Sequence, residues 1–226
     1  MHRRTSSRRR TALVLSATAL AAVPALTACG SDAHPGAAAV VGGQRITVSQ
    51  LETRVNEVRD AQQAATTDRA QYQEAIAKTG GLTRNTLHTM VLDRVLHRAA
   101  TDAGVTVTRK EMQDMRAGLE QRAGGAKQLE NAWLGQYSVP PKRLTESLRT
   151  EIEAQKLATA LGADMQTQEG QAVFWKALGK ASKELDVDLN PRYGAWKVSP
   201  TSRLVEARTP WLKQVTRQPA DTPQGA

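Results

Sequence analysis

Thiols are almost missing from this chain: its 226 residues hold a single cysteine, Cys29. An intrachain disulfide is thereby excluded, and the fold must stand on packing alone. Histidines number four, and two of them, His2 and His34, fall near the N-terminus. The other two, His88 and His97, sit on opposite sides of one expected helix and cannot share a metal. His88 reads as a satisfied boundary histidine, and His97 as an ion pair with Asp93 one turn back. No G-x-S-x-G, H-E-x-x-H, P-loop or G-x-G-x-x-G pattern occurs. Asp186 and Asp188 share an expected strand face, which a solvated surface explains better than acid–base work. These absences leave no catalytic residue, cofactor or metal site to expect. Long apolar runs are missing too, since none reaches the roughly 20 residues that span a bilayer.

The N-terminus has a different texture from the rest. "MHRRTSSRRR" carries five arginines and no acid, and "TALVLSATALAAVPALTA" is small and apolar, interrupted by Pro24. That order describes a secretory signal peptide rather than a retained span. Its end, Leu26-Thr27-Ala28-Cys29, resembles the bacterial lipobox. The resemblance implies cleavage between Ala28 and Cys29, fatty acylation of Cys29, and a place on the extracytoplasmic face of the cell membrane. The paired arginines of "SRRRTAL" suit twin-arginine export, and the general route equally. With residues 1–28 gone, five of the 31 basic residues and none of the 22 acidic ones leave, so the formal charge falls from +9 to +4. The high isoelectric point therefore gives little support to nucleic-acid binding.

Residues 29–38 are small and weakly patterned and read as a flexible tether. "AAVVGGQRIT" then predicts two short strands around Gly42-Gly43, and Thr47-x-x-Gln50 a capping box, with Ser49-x-x-Glu52 as a second register. Leu51, Val55, Val58 and Ala65 place a helix over Val48 to Ala65. A shorter helix should end at Gly80-Gly81. The central helix is expected from Thr83 to Ala103, its arc of Leu87, Val91, Leu92, Val95, Leu96, Ala99 and Ala103 too wide for one neighbour. "VTVTRKEM" offers two alternating valines and a capping box, Thr108-x-x-Glu111, for a helix to Ala123 broken by Gly124-Gly125. Three more helices follow: one through Trp133, one from Pro140-Pro141 to Leu161, and one from Glu169 to Glu184 bearing Val173, Phe174, Ala177 and Leu178. "LDVDL" predicts a half-buried strand ended by Asn190-Pro191. Residues 198–226 show little periodicity and are expected to be disordered. The basic residues Arg203, Arg208, Lys213 and Arg217 there suit either anionic headgroups or plain solvation.

Taken in order, these pieces resemble the SurA N-terminal family. "VVGGQRITVSQLE" is similar to its strand–turn–helix opening, V-x-G-x-x-I-(S/T)-x-x-(E/Q)-L. "AATDAGVTVTRKE" matches its A-x-x-x-G-(I/V)-x-V-(T/S)-x-x-E stretch, and "VDLNPRYGAW" its closing V-x-V-N-P-R-(F/Y)-G-x-W strand. The likeness spans residues 39–197. It implies a mainly α, multi-helix domain in which N- and C-terminal strands pair, Ala39–Val41 against Val187–Leu189, in parallel or antiparallel register. It further implies an exported chaperone domain, and together with the lipobox resemblance the expectation is a lipid-anchored chaperone-like protein that holds unfolded or newly exported polypeptides. Foldases of the PrsA type often insert a parvulin module of about 100 residues before the last helix. Here only "GADMQTQEG" fills that position, so prolyl isomerase activity is expected to be absent. Met112, Met115, Trp133 and Tyr137 are the candidate peptide-binding residues, because Met and aromatic surfaces adapt to varied apolar segments. An envelope adaptor docking one specific secretion or cell-wall partner is the alternative.

Overall fold

The computed structural model describes residues 35–66, 68–78 and 81–198. The expected signal peptide, Ala28, Cys29 and residues 199–226 lie outside these. Strand β1 (Ala37–Val41) turns through Gly42-Gly43 into β2 (Gln44–Thr47). Both glycines have positive φ, +59° and +73°, the geometry of a tight two-residue hairpin that only glycine, Asn or Asp adopts readily. β1 begins two residues inside the expected tether. The reason is packing: Ala37, Ala38 and Ala39 are wholly buried, and Val48 N–H donates to the carbonyl of Gly36 at 2.9 Å.

β3 (Asp188–Leu189) pairs with the other edge of β1, giving the order β2-β1-β3. The register is antiparallel, Ala39 opposite Leu189 and Val40 opposite Asp188. The first and last strands therefore meet as expected, and the direction left open is settled as antiparallel. The strand is shorter than the "LDVDL" pattern predicts. Asp186 adopts φ +44°, so the backbone turns there and Asp186 and Asp188 share no strand face. Asn190 completes the join: its backbone N–H donates to Ala38 and its Nδ2 to the carbonyl of Ala37 at 3.1 Å.

Seven helices surround this sheet among the described residues: α1 (Val48–Ala64), α2 (Arg69–Lys78), α3 (Leu82–Asp102), α4 (Arg109–Ala123), α5 (Ala126–Tyr137), α6 (Leu144–Ala160) and α7 (Gln168–Glu184). Both capping boxes form. Thr47 accepts from the Gln50 N–H while the Gln50 side chain accepts from the Thr47 N–H, and Thr108 and Glu111 do the same. The Ser49 register is not used. Val105 and Val107 form no strand, and the neighbouring Thr106 carbonyl accepts from Lys156 Nζ at 2.6 Å.

α3 is the core helix. Leu87, Val91, Val95, Leu96 and Ala99 are buried against Ala39, Ile46, Leu51, Leu157, Phe174 and Leu178 from the sheet, α1, α6 and α7. Leu92 is half-buried and Ala103 exposed, so the buried arc is narrower than predicted. Val173 turns outward, 39% exposed. Val198, at the edge of the expected tail, packs half-buried on this core. A second apolar cluster is separate: Leu129, Leu144 and Leu148, with Met115, Leu119, Ala123 and Trp133 against them. α4 contributes no fully buried side chain, so α4, α5 and the first half of α6 form a thin outer layer with its own small core. Among the described residues no helix is long and apolar enough to cross a membrane.

Candidate functional site

Three apolar clusters are distinct among the described residues, the third being Val58 of α1, Leu82 of α3 and Leu134 of α5, and they leave space between them. A cleft of about 750 Å³ opens there, walled by α1 and α3 on one side and by α4, α5 and α6 on the other. Its outer wall is assembled by the turn at Gly124-Gly125, with φ +85° and +131°, which reverses the chain and sets α4 beside α5. Met115 and Leu119, one turn apart on α4, then share a surface with Trp133 and Tyr137 of α5. The two rings meet edge to face, centroids 5.4 Å apart. Tyr137 is 55% exposed at the mouth.

Three of the four candidate peptide-binding residues are thus brought together. Met112 is half-buried and stands apart from the residues lining the cleft. Leu119 escaped the sequence reading, although the spacing Met112, Met115, Leu119 marks one helical face.

The inner wall is charged, and sequence reasoning missed it. Glu57 of α1 is buried, 7% exposed, beneath a short 3-10 turn, Pro141–Arg143. Arg143 grips it with two bonds, Nε to Oε2 at 2.8 Å and Nη2 to Oε1 at 3.0 Å. Lys142 adds a contact at 3.1 Å. The Arg143 hydrogen bond is the main reason that the Glu57 carboxyl is held down at about 2, against the opposing effect of burial. Glu146 bridges Arg143 and Arg54 at 2.7 Å and 3.0 Å. α1 is in this way latched to the start of α6 by charge pairs across the cleft floor.

Asp93 of α3 also lines the cleft. The ion pair expected with His97 is not made. His97 Nδ1 meets Glu153 Oε1 on α6 at 3.1 Å instead, because α6 packs along α3 and presents a buried carboxylate that adjacent sequence cannot reveal. Among the described residues the Asp93 carboxylate has no hydrogen bond or ion pair. Burial, only partly offset by Arg54, pushes it up to about 6. His88 is corrected as well: its Nε2 is buried with no partner among the described residues, and the ring packs 5.3 Å from Trp196. No group of three or more His, Cys, Asp or Glu suited to a metal occurs among the described residues.

An apolar wall with exposed aromatic edges opposite a polar floor is chemistry for holding a chain segment, since adaptable side chains bury varied apolar groups. Comparison with known proteins gives one family match. The model described as SurA-like N-terminal domain matches residues 3–158, which takes in β1 to α6, all but the last two residues of that helix, and stops before α7. No curated protein matches the chain, and no solved structure does. The chain belongs to the SurA-like N-terminal domain family.

Proposed function

We propose that this protein is a lipid-anchored holding chaperone of the cell envelope. Family membership suggests a chaperone-related role and possible binding of unfolded polypeptides. The carrying observation is the cleft: Met115, Leu119, Trp133 and Tyr137 form one accessible apolar wall in it. An unfolded or newly exported segment would bury its apolar side chains there reversibly, each buried methylene contributing about 0.8 kcal/mol. Release then needs no nucleotide, because a contact of a few side chains is weak enough to exchange. The lipobox-like Leu26–Cys29 supports acylation at Cys29 and an extracytoplasmic location. The short connection between α6 and α7, residues 161–167, supports a role without an isomerase module.

The test is suppression of aggregation of a chemically unfolded client by the purified full-length chain. The reading requires suppression that weakens several-fold in Trp133→Ala with Tyr137→Ala. Full suppression by the double variant, or none by the parent, overturns it. Mass spectrometry of the cell-derived protein tests the anchor: an unmodified Cys29 or an intact Met1 start refutes it.

A further inference from the structure

We infer that the cleft selects client segments in which a lysine or arginine lies beside an apolar or aromatic residue, the cation pairing with Asp93 while its neighbour seats on Met115, Leu119, Trp133 and Tyr137. This rests on the cleft reading above and adds a substrate preference to it.

The geometry points there because the cations nearest the cleft floor are already engaged. Arg54, the one that acts on Asp93, is bonded to Glu146 at 3.0 Å. Arg143 is divided between Glu57 and Glu146. On α6, Glu153 is occupied by His97 and Arg149 at 3.1 and 3.3 Å, and Glu151 accepts from the neutral Gln155 at 2.9 Å. Arg122, the remaining cation of the lining, is exposed and sits on the α4 face that bears Met115 and Leu119.

Asp93, half-buried on the wall that faces the aromatics, is therefore an acceptor with no hydrogen-bond donor among the described residues. A carboxylate in that position gains more from an incoming cation than a solvated one does, because less water must be displaced for the same bond. An anionic segment meets Asp93 and Glu151 together and is repelled. Titration accords with this: ionised Asp93 is disfavoured in the free protein, with its carboxyl at about 6. A bound cation favours the ionised form, so the preference for basic segments must fade as pH falls below that value.

The experiment uses the full-length chain and three fluorescently labelled extended peptides. Each has one tryptophan, next to lysine, norleucine or glutamate, and affinities are read by anisotropy at pH 7.5 and pH 5. The lysine peptide should bind about tenfold more tightly than the glutamate peptide at pH 7.5. That ratio should approach one in Asp93→Asn and should shrink at pH 5 in the parent. The norleucine peptide should bind the parent and Asp93→Asn alike. Trp133→Ala should weaken all three peptides. Equal binding of lysine and glutamate peptides by the parent overturns the inference and leaves the cleft reading intact, as does a preference that survives Asp93→Asn. Failure of all three to bind overturns both.

Discussion

Replacing Glu57 by glutamine removes one negative charge and little volume from the latch between α1 and the start of α6. Its carboxyl is held down from 4.5 to about 2, chiefly by Arg143. At about 1.36 kcal/mol per pH unit, that displacement corresponds to roughly 3 kcal/mol of folding stability at pH 7. The site is dry enough for the figure to stand with modest discount, the Glu57 side chain being 6% and that of Arg143 28% exposed. Lys142, 60% exposed, adds little. Arg143 keeps Glu146 in the variant, so it is not left wholly unpaired. The expected cost of Glu57→Gln is thus about 2–3 kcal/mol, read from urea unfolding at pH 7. The pH dependence carries the sharper test. A carboxylate depressed in the folded state stabilises fully above its unfolded value near 4.5 and ceases to do so as pH falls through about 2. More than half of the difference between parent and variant should therefore be gone by about pH 3. A cost below about 1 kcal/mol at pH 7, or one that does not change down to pH 3, refutes the latch.

Asp93→Asn should act in the opposite sense. A carboxyl raised from 3.8 to about 6 by burial costs stability once ionised, so the variant should gain about 1–2 kcal/mol at pH 7 and match the parent below about pH 4. His88→Leu should be neutral or stabilising by up to about 2 kcal/mol in the same unfolding assay, since it removes a buried nitrogen with no partner among the described residues. A marked loss would show that Nε2 is satisfied. Gly42→Ala should lower stability by about 1–3 kcal/mol, because φ is +59° and the added Cβ would lie 2.8 Å from Leu185 Cδ2. The leucine tip can move, the backbone cannot, so Leu185→Ala in the same chain should rescue little.

What the sequence made legible is what short spacing encodes. Thr47 with Gln50 and Thr108 with Glu111 form their caps because both partners lie within one helical turn. Gly42-Gly43 turns the hairpin because two positive φ angles are cheap only for such residues. The pairing of β1 with β3 came through family likeness, not periodicity, and Asp186 shows the limit: alternating valine and leucine cannot announce a left-handed turn within the pattern. The cleft was half visible. Met115, Trp133 and Tyr137 stand out by type, but their shared wall needs the antiparallel fold of α4 on α5. Its charged floor was invisible, since Glu57 meets Arg143 and His97 meets Glu153 from distant parts of the chain. Nothing local distinguishes those residues from solvated helix charges.

The most direct test places a photoreactive side chain at Tyr137, 55% exposed at the cleft mouth, or at Val173, 39% exposed on α7. Each full-length variant is irradiated with a chemically unfolded client. Cross-links concentrated at position 137 are predicted. Equal yields at both positions, or none at 137 while aggregation is still suppressed, would contradict client binding in the cleft.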